Sequence, residues 1–97
     1  MPRPRLRRRI CFCPRAKFYK PRGIPLRQLE IVTLFSDEFE AFRLIDYQGL
    51  DQEGAAKQMR VSRITVQRIY KSARRKIAKA LVEGKAIKLV NTQRGGE

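Results

Sequence analysis

Between Met59 and Lys76 the chain reads MRVSRITVQRIYKSARRK. Arginine and lysine at this density suit phosphate neutralisation, and arginine also grips a guanine edge with two hydrogen bonds. An isoleucine among them, Ile64, is the type of side chain that meets a thymine methyl. The same stretch admits a plainer reading, as an amphipathic helix whose solvent side is merely basic. The elements that would hold it decide between the two.

A DNA-reading helix-turn-helix needs two helices crossing steeply across a short turn. Asp51 is placed to cap the first, with Gln52 and Glu53 in its opening turn and an end near Met59. Gly54 inside it costs roughly 1 kcal/mol relative to alanine. Ser62 is placed to cap the second, which runs to Glu83 and stops at Gly84. Ala55 and Ala56 supply the small crossing contact, Met59 and Val61 flank the turn, and Val66 and Ile69 anchor the second helix. Arg60 stands where the turn enters a left-handed conformation and glycine is usual, at a cost of order 1 kcal/mol.

At about 100° per residue, Val66, Ile69, Tyr70, Ala73, Ile77, Ala80 and Leu81 share one stripe, the expected core face. Arg68, Lys71, Arg75 and Lys79 lie opposite, with Gln67 and Arg74 at the margins. Ile64 falls with the basic group, about 160° from Val66, where a solvated charged face leaves it unexplained.

The rest of the chain divides by charge. Met1 to Arg27 holds ten basic residues and no acid, Glu30 to Glu53 seven acids and one base, and Lys57 to the end twelve bases and two acids. The net charge of +14 points to a polyanionic partner, nucleic acid before an anionic membrane surface. All five prolines lie in the first zone, so no helix runs through it. Residues 1–9 read as an extended basic arm, RICF as a short strand, and the stretch to Leu26 as a loop. LEIVTLF reads as a strand. Ser36 or Asp37 then caps a helix that continues through EFEAFRLIDYQ to Gly49, with Asp37 and Glu38 suited to its positive end. KAIKLV reads as a closing strand and residues 91–97 as a flexible tail.

At 97 residues, one small domain over 10–90 is expected, with the helix-turn-helix at about 51–83. The basic start has no apolar stretch behind it, unlike a signal peptide, and no run of 18 apolar residues occurs. A cytoplasmic, nucleoid-associated protein with no membrane partner is expected. Cys11 and Cys13 form no disulfide framework. With histidine absent, two thiolates cannot complete a zinc site alone. Four from a dimer would complete one; otherwise both are small residues at a strand end. No metal, no cofactor and no enzymatic activity are expected, since no nucleophile motif is present. The arm PRPRLRRR reads either as a loose tail or as a segment along phosphates or in the minor groove.

MPRPR with RRIC, then GIPL, DEFEAFRL, GLDQEGAAKQM, VSR and ARRKIAKALVEGKAI together resemble uncharacterised protein family 0251 (domain of unknown function 134), over about residues 2–90. That family's helix-turn-helix looks like region 4 of sigma-seventy-type factors, which implies DNA binding. The resemblance implies that Ser62 caps the recognition helix and contacts phosphate, and that Arg63, Ile64, Gln67 and Arg68 sit where such helices meet bases. Arg60 replaces the family's usual glycine, and Cys13 stands where methionine is common. Some relatives carry a further domain similar to iron–molybdenum cofactor binding proteins, for which this chain is too short.

The expected fold is therefore mostly α, a tri-helical helix-turn-helix with a small sheet from N-terminal, central and C-terminal strands. The expected function is sequence-specific double-stranded DNA binding and transcriptional regulation. Arg63, Ile64, Gln67 and Arg68 would read bases. Ser62, Thr65, Lys71, Arg74 and Arg75, with Arg3, Arg5, Arg7, Arg8 and Arg9 of the arm, would hold phosphates. Strand edges and a half-site reader point to a homodimer. The rivals are an RNA-binding module, for which no exposed aromatic platform is evident, and a module that docks on RNA polymerase.

Overall fold

In the structure, a computed structural model, residues 17–91 are described. Strand β1 (Lys17–Tyr19) leads through a 3-10 turn (Leu26–Gln28) to β2 (Ile31–Leu34). Helix α1 (Ser36–Phe42) passes into a π-helical turn (Arg43–Tyr47), followed by α2 (Gln52–Met59), α3 (Arg63–Glu83) and β3 (Ala86–Leu89). The sheet order is β1-β3-β2, with β1 antiparallel and β2 parallel to β3. Every helix thus lies between two adjacent parallel strands, so the sheet fixes where α1 begins and where α3 ends.

The N-terminal strand differs from the expected one. RICF, like the basic arm and both cysteines, lies outside the described residues, and β1 falls in the stretch read as loop. All three β1 side chains are exposed, so no apolar alternation announces it. It forms because β3 offers an open edge, pairing Lys17 with Leu89 and Tyr19 with Ile87.

The caps of α2 and α3 follow the sequence. The Asp51 carboxylate accepts from the Gly54 amide at 2.7 Å, and the Ser62 hydroxyl from the Thr65 amide at 3.1 Å. A Cβ on Gly54 would come 3.1 Å from that same Asp51 oxygen, so the glycine leaves room for the cap rather than merely weakening the helix. Arg60 adopts φ 62°, the left-handed conformation its place demands. The Val61 amide then reaches back to the Ala56 carbonyl at 3.1 Å, closing a Schellman turn.

Helix α1 departs in two ways. Its cap is Phe35, one residue before Ser36 and two before Asp37, the two expected caps, with Glu38 folding back to accept from the Phe35 amide at 3.0 Å. Its α-helical part ends at Phe42 and not near Gly49, since the chain widens to π geometry and Gln48 donates to the Arg43 carbonyl at 2.9 Å.

Two apolar clusters build the core. Leu44, Ala55, Ala56 and Val66 lock the helix-turn-helix, and Leu34, Ala73 and Leu89 seat α3 on the sheet beside Phe39, Phe42 and Ile77. The α3 stripe is buried at Val66, Ile69, Ala73 and Ala80. Leu81, expected in it, is 75% exposed. It sits one residue, about 100°, from the inward Ala80.

Glu38 is also buried, 0% exposed. Its carboxylate accepts from the Ser72 hydroxyl at 2.6 Å and from the Lys76 ammonium at 2.8 Å. Lys76 also donates to the Thr33 carbonyl at 2.8 Å and stands 4.6 Å from the Phe35 ring centre. One buried ion pair therefore joins β2, the cap of α1, and the middle of α3. Removing one partner of such a pair leaves the other uncompensated. Glu38→Ala should lower unfolding free energy by about 3 kcal/mol, the lower end of the usual range because Lys76 keeps some solvent access. Urea denaturation measures it.

Candidate nucleic-acid interface

Helix α3 projects its first turns beyond the core, because α2 crosses it at Val66 and leaves Arg63, Ile64, Gln67 and Arg68 in solvent. All four are exposed, and Ile64 is 66% exposed. They lie on one outward side with Lys71 and Arg75, also exposed. Among the described residues no acid pairs with Arg63, Arg68, Lys71 or Arg75. Lys57 and Arg60, exposed at the end of α2 and in the turn, extend the basic surface at this end; sequence reasoning used Arg60 only as a turn residue.

Three expected phosphate contacts are placed differently from these. Ser62 is exposed, but its hydroxyl is shared between the Thr65 amide and the Thr65 hydroxyl, the latter at 2.9 Å. Thr65 is half-buried and faces that cap. Arg74 is exposed yet engaged: its Nε lies 3.3 Å from Asp46 Oδ2, and its guanidinium lies over the Tyr70 ring at 5.7 Å. Arg3, Arg5, Arg7, Arg8 and Arg9 lie outside the described residues.

The acids of the middle zone do not form a free acidic surface. Glu38 holds Lys76, Glu40 holds Arg43 at 2.9 Å, Asp46 holds Arg74, Glu30 holds Lys85, and Asp51 caps α2. Lys85 also meets Glu83 at 3.2 Å. The hydrogen bond and charge of Lys85 hold the Glu30 carboxyl below the usual carboxylate range, and those contacts push Lys85 up. Five of the seven middle-zone acids are thus engaged, while Glu53 is exposed on α2.

Tyr70, expected only as core, carries its phenol to Asp46 and donates to Oδ1 at 2.8 Å. Burial, and then the Asp46 hydrogen bond and charge, push its pKa above the usual tyrosine value. A raised folded pKa means that the protonated phenol contributes stability at and below neutral pH. That contribution is lost as pH climbs through the folded value.

The chain matches the family described as "Protein of unknown function DUF134" over residues 1–97. It belongs to that family. A UPF0251 protein of Moorella thermoacetica is 53% identical over 89 residues, covering 92% of this chain and 60% of the relative. One from Halothermothrix orenii is 49% identical over 88 residues, covering 91% and 65%. One from Vibrio parahaemolyticus is 47% identical over 93 residues, covering 96% and 97%. This DUF134 chain therefore spans under two thirds of the first two relatives and nearly all of the third. No solved structure matches it.

Two outcomes test the local geometry. Arg60→Gly should raise unfolding free energy by about 1 kcal/mol, relieving a left-handed side chain, as read by denaturant midpoint. In an ultraviolet titration of the three tyrosines, Tyr70 should ionise above the ordinary range, and Asp46→Asn should bring it down.

Proposed function

We propose that this chain binds double-stranded DNA sequence-specifically and acts as a transcriptional regulator, with the first turns of α3 in the major groove. The observation that supports this most is Ile64. A large apolar side chain, 66% exposed among Arg63, Gln67, Arg68 and Lys71, fits a thymine methyl.

Helix α3 has 21 residues and is about 31 Å long, while the groove is about 12 Å wide. Base contacts therefore belong to the first two turns, with Arg63 and Arg68 on guanine edges and Gln67 on an adenine or a phosphate. Lys71 and Arg75, farther along, meet the flanking phosphates together with the arm, and Ser62 and Thr65 approach the backbone at the helix start. A homodimer would present two such helices to a palindromic site. The protein would work on the nucleoid in the cytoplasm, with no catalytic step and no cofactor. No described helix is long and apolar enough to cross a membrane.

One observation favours an RNA-binding reading. Phe18 and Tyr19 are exposed on the edge strand β1, beside Lys17 and Lys20, where no aromatic platform was expected. Successive strand residues point to opposite faces, however, and the Lys88 ammonium stands 5.8 Å from the Phe18 ring centre. A stacking platform for successive bases needs aromatics on one face.

Competition of duplex DNA against single-stranded RNA at equal salt separates the two, and preference for RNA overturns the duplex reading. Duplex affinity should fall by about 0.9 log units per phosphate contact per tenfold rise in salt. Ile64→Ala should weaken a selected duplex about fivefold, as for an apolar contact worth roughly 1 kcal/mol, and leave a random duplex unchanged. If Arg63→Ala and Arg68→Ala leave activity intact, the protein docks on RNA polymerase without reading DNA.

A further inference from the structure

The exposed ridge of α3 carries Arg68, Lys71, Arg74 and Arg75, and among these Arg74 is the one held by a described carboxylate. That carboxylate, Asp46, comes from the π turn, a rare widening that turns this side chain toward α3. Its two oxygens hold two α3 residues four apart. Oδ1 accepts from the Tyr70 hydroxyl at 2.8 Å, and Oδ2 lies 3.3 Å from Arg74 Nε. Residues four apart stack on one helix face, so a single carboxylate gripping both restrains α3 against rotation about its own axis.

Rotation is the motion that a DNA-reading helix tolerates least. A turn of about 100° replaces each groove-facing residue by its neighbour in sequence. Tyr70 follows Gln67 by one turn, so the restraint acts directly behind the residues assigned to bases. Farther along, Ala73 and Ile77 pack on the sheet through apolar contacts, which are not directional, and the Glu38 contacts to Ser72 and Lys76 hold the opposite side of the helix from Asp46.

We infer that Asp46 is a positioning residue for the reading face of α3, holding the side of the helix that Glu38 does not, and that it withholds Arg74 from DNA phosphates, so that Arg74 orients the helix without contacting the duplex. This rests on the duplex-binding reading above. The engaged Arg74 exchanges a phosphate contact for orientation, and Asp46 keeps one negative charge on the ridge that faces the polyanion. Removing that charge should strengthen indiscriminate binding while weakening discrimination.

The test uses the full chain, a duplex selected from a random pool, and a scrambled duplex of equal length, across a sodium chloride series. Wild type, Asp46→Asn, Arg74→Ala and Tyr70→Phe are compared, with folding checked by circular dichroism. Asp46→Asn should bind the scrambled duplex more tightly and steepen its salt dependence by about 0.9 log units, as Arg74 becomes free for one phosphate. Its preference for the selected duplex should drop roughly tenfold, about the reading of one base pair. Arg74→Ala should leave the salt slope at the wild-type value. Tyr70→Phe keeps every charge and should lower the preference alone; it decides the matter with Arg74→Ala if Asp46→Asn fails to fold. A slope that falls by about 0.9 in Arg74→Ala makes Arg74 a phosphate contact and overturns the inference. So does an unchanged preference in Tyr70→Phe. Wild type that binds neither duplex overturns the duplex-binding reading, and the inference with it.

Discussion

A carboxylate closed off from water is the point on which this small fold turns. Glu38 accepts from the Phe35 amide, the Ser72 hydroxyl and the Lys76 ammonium, and Lys76 reaches on to the Thr33 carbonyl. An ion taken from water is costly unless its partners are in place, so the arrangement is close to all-or-none. It admits one position of α1 against β2 and one axial register of α3 against α1. The apolar core alone is modest, with alanines at Ala41, Ala55, Ala56, Ala73, Ala80 and Ala86 among its buried members. Alanine allows close approach but specifies little. The polar contacts supply the specificity that small side chains lack.

The same division extends to the whole charge distribution. Glu38, Glu40, Asp46, Glu30 and Glu83 each meet a cation, whereas Arg63, Arg68, Lys71 and Arg75 on the outer side of α3 have no described acid partner. A chain of +14 would repel itself if its charge were uniformly spread. Helix α3 alone carries seven bases against one acid, so a large share of the excess lies along one element. The acidic middle zone is thus a part of the scaffold, and its chemical consequence appears on another element thirty or so residues away.

What could be read from the sequence was local. Asp51 and Ser62 as caps, Gly84 as a stop and Arg60 in the left-handed turn each depend on neighbours within five positions, and each lies where the spacing puts it. The outward position of Ile64 and Arg68, with Gln67 at the margin, followed from helical period, and Arg63 was placed with them by the family resemblance. What stayed hidden depends on distant partners. Glu38 and Lys76 are 38 positions apart, so Glu38 looked like a dipole-compensating surface residue. Strand β1 exists only against β3, and its exposed KFY carries no signature. The π turn carries Asp46, whose partner Tyr70 lies 24 positions on. Leu81 shows the converse error, since helical period extends a stripe past the point where anything remains to pack against it.

These distant contacts bear on what the surface can do. A basic helix attached only through apolar contacts could bind a polyanion in many orientations, because charge attraction is indifferent to rotation. Reading an edge demands one orientation, since donors and acceptors must meet bases within a few tenths of an ångström. Two carboxylates on the α1 side supply that restraint, Glu38 at Ser72 and Lys76 and Asp46 at Tyr70 and Arg74. They grip α3 on two sides over two turns, immediately behind its exposed start. An exposed isoleucine at the start of a helix so restrained is the feature on which the proposal of base reading rests, since a thymine methyl would give it an apolar contact.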